Sequence, residues 1–90
     1  MTKAELVNEI AIQTGYDRVT ILNVLESAMV NVKKSVANGN NVYLRGFGSF
    51  ITKVRKQKIA RNITANKSLV VPEHKIPAFK PSDDFTDLMK

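Results

Sequence analysis

The chain has 90 residues, enough for one domain but so short that it buries a modest fraction of its surface alone, and dimerisation is the expected remedy. It has no cysteine, which excludes disulfide staples and cysteine-based zinc sites and favours a cytoplasmic protein, and no apolar run approaches the roughly 20 residues that cross a bilayer. A formal charge of +6 and a pI of about 9.8 point to an anionic partner.

The opening MTKAELVNEI carries two carboxylates where a signal peptide has an apolar core, so a soluble, mature chain is expected. Thr2-Lys3-Ala4-Glu5 has capping-box spacing, which predicts a helix from residue 3. Leu6, Ile10, Val7 and Ala11 supply its apolar face, and Gly15 supplies a left-handed stop. Asp17 is the expected N-cap of a second, longer helix. In it Leu22, Leu25, Met29, Val32 and Val36 recur at three- and four-residue steps, while Ile21, Val24 and Ala28 widen the stripe. Such a face needs more partner than one short helix offers. Asn38-Gly39-Asn40-Asn41 ends the helix.

From Val42 the period changes. Val42-Tyr43-Leu44 and Ser49 to Val54 are rich in β-branched and aromatic residues, with Gly46-Phe47-Gly48 between them, which predicts an antiparallel hairpin. Lys53 to Arg61 continues in extended form but is too basic to bury a core face, so it projects as half of a ribbon. Ser68 to Pro72 and Lys75 to Phe79 return, their prolines confined to places where no ladder N–H is required. Ser82 caps a short last helix, with Asp83 and Asp84 in its first turn and Phe85, Leu88 and Met89 on its buried side.

Charge follows this order. Residues 1–44 hold four cations and four acids, whereas residues 45–80 hold nine cations against Glu73 alone, a net of +8. The tail turns acidic again with Asp83, Asp84 and Asp87. A phosphate-facing surface belongs in the middle.

Gly46-Phe47-Gly48-Ser49-Phe50, the basic stretch after it, Ala60-Arg61-Asn62 and Pro77-Ala78-Phe79 together resemble the HU/IHF family of histone-like DNA-bending proteins of bacteria. The match runs from Lys3 to about Leu88. The resemblance implies an α+β fold: an intertwined dimer with a helical body and long two-stranded β-ribbon arms that curl around duplex DNA through the minor groove. It implies one domain over 1–90, with a helical dimerisation region over 1–41, a sheet saddle and DNA-binding arm over 42–81 whose tip lies at about 60–67, and a C-terminal helix over 82–90.

In that family the residue after Arg-Asn is usually a proline that inserts between base pairs; here it is Ile63. Isoleucine is apolar, stiff about χ1 and among the wedges that minor-groove benders use; HU and IHF are named examples of that rule. The bland reading is an exposed apolar residue of no consequence. Asn66 replaces the usual glycine before the tip lysine and tolerates a left-handed turn.

Lys53, Arg55, Lys58, Arg61 and Lys67 match basic arm positions, where they would neutralise phosphates. Asn62 would hydrogen-bond a base edge or phosphate, and Lys56 breaks the odd-numbered alternation. A solvated charge run is the alternative, weakened because no acid interrupts Lys53 to Lys67. Lys3, Lys75 and Lys80 match flanking-DNA positions of the body, and Arg45 is a further cation near the saddle. Asp83 stands where family members have lysine, which implies repulsion of flanking DNA or a shorter site.

Leu25, Met29, Val32, Val36, Leu44, Phe47, Phe50 and Phe79 are expected to form the dimer core. The phenylalanines could instead make a base-stacking platform, but Phe47 lies at a tight glycine turn and the family uses these aromatics for packing. His74, the one histidine, lacks a second ligand and is expected on a surface or strand edge, not on a metal.

The expected function is a non-enzymatic, nucleoid-associated architectural protein that bends and compacts DNA with weak sequence preference. No cofactor or metal is expected. An IHF-like protein that prefers particular sites remains open, as does a homodimer against a heterodimer with a paralogue. A structured-RNA binder suits a wedge-bearing ribbon poorly, because the minor groove of RNA is wide and shallow. An enzyme lacks a nucleophile-and-base set and a phosphate loop, and a pure protein-interaction module predicts no salt-sensitive nucleic-acid affinity.

Overall fold

The computed structural model describes the backbone of residues 1–62 and 67–90 and the side chains of residues 1–57 and 72–90. Its elements are α1 (Lys3–Thr14), α2 (Arg18–Ala37), β1 (Val42–Leu44), β2 (Gly48–Arg55), β3 (Lys58–Asn62), β4 (Lys67–Val71), β5 (His74–Pro81) and α3 (Asp83–Asp87). They divide into two compact units, Met1–Lys34 and Ser35–Lys90.

In the first unit the helix ends follow from local hydrogen bonds. Thr2 is extended (φ −91°, ψ 170°), and its hydroxyl accepts from the Glu5 N–H at 3.2 Å. The reciprocal half of the capping box, from Glu5 back to Thr2, is not formed among the described residues. Gly15 ends α1 at φ 77°, its N–H donating to the Ala11 carbonyl, in the left-handed region that glycine enters without penalty. Asp17 then caps α2 by accepting from the Thr20 N–H at 3.2 Å. Arg18 reaches back to the Asn8 carboxamide oxygen at 2.6 and 3.0 Å, and the Lys3 ammonium pairs with Glu26. Both contacts tie α1 to α2. Val7 and Ile21 are buried, whereas Leu6 stays 39% exposed; the apolar face of α1 is centred on Val7, Ile10 and Ala11.

The second unit starts with the last turn of α2. Gly39 (φ 84°) donates to the Val36 carbonyl, and the Ser35 hydroxyl and carbonyl bond Asn40 at 2.9 Å each. The Thr52 hydroxyl donates to the Val36 carbonyl at 3.1 Å and its N–H donates to the Asn41 side chain at 3.3 Å. These bonds fix where β1 begins relative to β2.

β1, β2 and β5 form an antiparallel sheet in that order, and β3 pairs with β4 in a second sheet. The expected continuous long strands are therefore interrupted, at Lys56-Gln57 on one side and at Pro72-Glu73 on the other. Pro72 has no N–H to give a ladder, which accounts for a break there. Pro77 and Pro81 lie opposite Thr52 and Gly48 on β5. A strand at the sheet edge leaves alternate N–H groups unpaired, so proline is tolerated in it.

All four phenylalanines of the chain gather on one side of this sheet. Ring centroids lie 5.2 Å apart for Phe47 and Phe79, 5.0 Å for Phe50 and Phe79, and 5.6 Å for Phe47 and Phe85, separations at which offset and tilted aromatic pairs attract. Phe47 is held at both ends, donating to the Leu44 carbonyl and accepting from the Ser82 N–H. Gly48 makes the cluster possible, since a Cβ there would lie 2.6 Å from both the Lys80 carbonyl oxygen and Phe79 Cζ.

Ser82 caps α3 as expected, its hydroxyl accepting from the Phe85 N–H at 3.2 Å. Leu88 and Met89 do not join Phe85 on a buried side. They are 83% and 79% exposed, because the helix ends at Asp87 and both residues lie beyond its last regular turn. Val36 is the one buried apolar side chain of this unit among the described residues, and Leu44, Phe47 and Phe79 keep 39% to 46% of their surface.

Candidate functional site

Side chains alternate across a strand, so the register assigns each cation of the sheet to a face. β2 and β5 pair Lys53 with Ile76, Arg55 with His74 and Ser49 with Lys80. β1 adds Tyr43 opposite Ser49. Lys53, Arg55 and Lys80 therefore share one face, and Phe50, Thr52 and Phe79 share the other, over the aromatic cluster. No acid stands on the cationic face among the described residues.

Lys75 falls on the opposite face, across from Val54. Arg45, in the turn after β1, lines a recess of about 420 Å³ at the end of the sheet together with Tyr43, Ser49, Lys80, Ser82 and Asp83. Two cations and three hydroxyls meet there, and Asp83 puts the single carboxylate beside them. Lys3 belongs to the first unit. It donates to Glu26 and holds that carboxyl below the usual carboxylate range, with the charge of Lys33 adding to the effect.

β3 and β4 pair Lys58 with Val71, Arg61 with Ser68 and Asn62 with Lys67. The backbone thus brings Lys58, Arg61, Asn62 and Lys67 onto one two-stranded ribbon; their side chains lie outside the described residues. Ile63 and Asn66, expected at the arm tip, lie outside them altogether. Lys56 sits in the interruption between β2 and β3 and is exposed.

Composition finds the cations but misses two other members of the cationic face. Tyr43 is 72% exposed, its hydroxyl accepting from the Asn41 side chain at 3.1 Å, and His74 lies directly across from Arg55. The place of Tyr43 follows from the β1–β2 hairpin once its turn length is known; His74 needs the register of a strand that returns some twenty residues later. Among the described residues no group of three or more His, Asp or Glu gathers to hold a metal, and no helix is long and apolar enough to cross a membrane.

Residues 1–90 match the family model described as bacterial DNA-binding protein. The chain is 31% identical to the DNA-binding protein HU of Thermus thermophilus over 90 residues, all of this chain and 93% of that one. It is 29% identical to the DNA-binding protein HU of Geobacillus stearothermophilus, with both chains covered in full. Among solved structures, an Anabaena HU–DNA cocrystal structure superposes with a TM-score of 0.92 at 31% identity, covering 99% of this chain and 97% of that one. A point mutant of HU from Thermotoga maritima gives 0.74 at 26% identity with full coverage of both.

Proposed function

This chain belongs to the bacterial DNA-binding protein family that includes the HU proteins, and from that premise we propose that it is an architectural protein that binds and bends duplex DNA as a dimer. The observation that carries the reading is the sheet with two unlike sides: Lys53, Arg55 and Lys80 on one face and the phenylalanine cluster behind the other. An acid-free cationic face suits a uniform row of phosphates, whose neutralisation releases counterions and needs no base identity. The dimer is supported by the apolar side chains that a single chain leaves open, among them Met29, Leu44, Phe47 and Phe79.

The arm built on β3 and β4 enters the minor groove and places Ile63 between base pairs. Unstacking a step costs a few kcal/mol, offset by contacts that bent DNA allows. Sequence preference is weak, because groove shape and deformability are read in place of base edges. The body from 1 to 41 dimerises, the sheet and arm from 42 to 81 carry the DNA, and Arg45, Lys3 and Lys75 serve its flanks. The protein acts in the cytoplasm on the nucleoid, as a homodimer, and catalyses no reaction.

The test is the end-to-end distance of a duplex labelled with a dye at each end, titrated with wild type and Ile63→Ala at several salt concentrations. Shortening by the wild type, reduced in Ile63→Ala while salt-sensitive binding survives, is the expected result. Binding without shortening in either protein would remove the wedge, and no binding at low salt would remove the DNA reading.

A further inference from the structure

We propose that His74 is a further phosphate-binding residue of the cationic face, and that its contact with DNA forms only when the imidazole is protonated. The inference rests on the DNA-binding reading above and adds to it a residue and a proton.

Three observations carry it. First, register: His74 pairs with Arg55, and Lys53 lies one pair further along the same face. Directly opposed residues keep their Cβ atoms about 4.5–5.5 Å apart, and diagonal neighbours lie about 7–8 Å away. A phosphate held by Arg55 is thus within reach of the imidazole. Second, orientation: His74 Nδ1 lies 2.9 Å from the Pro72 carbonyl oxygen. A carbonyl only accepts, so Nδ1 carries hydrogen in both charge states, and Nε2 is the nitrogen that gains or loses the proton. Neutral, Nε2 offers a lone pair, which an anionic phosphate oxygen does not accept. Protonated, it offers an N–H donor and a positive charge, and such charge-assisted bonds are the strong ones.

Third, surroundings. β5 is the edge of its sheet, with β2 its one strand neighbour. From β2 the charged groups facing His74 are Arg55 directly and Lys53 diagonally. On β5 itself Lys75 points to the opposite face, and Glu73 precedes β5 in the chain. No carboxylate lies within ion-pair distance of His74 among the described residues. Among the described residues the imidazolium therefore has no partner of opposite charge, and it stands beside two cations. A phosphate supplies the missing anion, so binding and protonation favour each other, and DNA binding is coupled to uptake of a proton at Nε2.

The experiment measures affinity for one duplex at fixed ionic strength from pH 6 to pH 8, for wild type, His74→Gln and His74→Lys. The chain has no other histidine, so the two substitutions isolate the contribution of this one imidazole. Wild type is expected to bind about tenfold more tightly at pH 6 than at pH 8, on the order of one charge-assisted hydrogen bond, with a steeper dependence on salt at the lower pH. His74→Gln is expected to bind at the wild type's pH 8 level throughout, and His74→Lys at its pH 6 level throughout. His74 is exposed, so both substitutions leave the fold intact, and the lysine variant reads the charge independently of the glutamine variant. A pH dependence that survives in His74→Gln would overturn the assignment, as would pH-independent wild-type binding. Absence of DNA binding at every pH and at low salt would instead remove the DNA reading on which the assignment rests.

Discussion

Gly48→Ala is expected to be the most damaging single-methyl change in the second unit. The added Cβ would sit 2.6 Å from the Lys80 carbonyl oxygen, 2.6 Å from Phe79 Cζ and 2.7 Å from Phe79 Cε1. Against the roughly 3.5–4.0 Å at which non-bonded carbons rest, that is about 1 Å too close on two ring atoms at once. The ring cannot rotate freely, because it also packs on Phe47 and Phe50, and the oxygen belongs to the backbone of β5. Relief therefore requires β2 and β5 to part at Gly48↔Pro81 and Ser49↔Lys80. Overpacking costs about 1–3 kcal/mol, and a displaced aromatic pair adds about 0.5–1.5 kcal/mol, so a loss of about 3 kcal/mol is expected. For a domain of this size that lowers Tm by roughly 12–24 °C.

The assay is a thermal melt followed by circular dichroism at fixed protomer concentration, since a dimer's Tm depends on concentration. Gly39→Ala is the control: it lies at φ 84° with nothing within 4 Å of the added carbon, so it carries only the left-handed penalty of about 1–2 kcal/mol. A Gly48→Ala protein that melts within about 5 °C of wild type, or no lower than Gly39→Ala, would refute the steric argument.

Lys53→Ala and Arg55→Ala are each expected to lower the slope of log affinity against log salt by about 0.9 for every phosphate that is no longer neutralised, and Lys75→Ala, on the opposite face, by less; equal effects in titrations across salt would contradict the face assignment. Ser82→Ala removes the hydroxyl that accepts from Phe85 and should cost about 1 kcal/mol, read as a lower melting temperature, with no change counting against the cap. The Glu26 carboxyl is lowered by its hydrogen bond from Lys3 and by that residue's charge, so the pair stabilises the fold above the usual carboxylate range and loses its contribution as pH falls through the lowered value. The gap in Tm between wild type and Glu26→Gln should accordingly close in acid, and a gap that stays constant from neutral pH downward would refute it.

The helix boundaries were legible because each depends on a bond a few residues long: Thr2 to Glu5, Gly15 to Ala11, Asp17 to Thr20 and Ser82 to Phe85. The same reasoning fails at Lys56-Gln57. Nothing in those two residues announces a break, and a proline that forbids pairing, Pro72, stands on the other strand. Leu88 and Met89 follow helical spacing from Phe85, yet the helix stops before spacing can act. For the site, the run of cations was visible in composition, and the sides of the sheet were not. Lys75 and Lys80 look alike along the chain, and only their pairing with Val54 and Ser49 parts them. The expectation that Ile63 stands at the arm tip came from family likeness; composition alone leaves it as one apolar residue among polar ones.

The prolines of β5 also bear on how crowded copies of this protein behave. An open strand edge is a template for a further strand, and proteins at high concentration aggregate by adding neighbours there. Pro77 and Pro81 withhold two of the amide hydrogens such a neighbour would need, and Lys75 and Lys80 set like charges between two approaching copies. The opposite edge of the sheet is β1, only three residues long. If many copies gather along one DNA, as the proposed function implies, these features keep their sheets from zipping together.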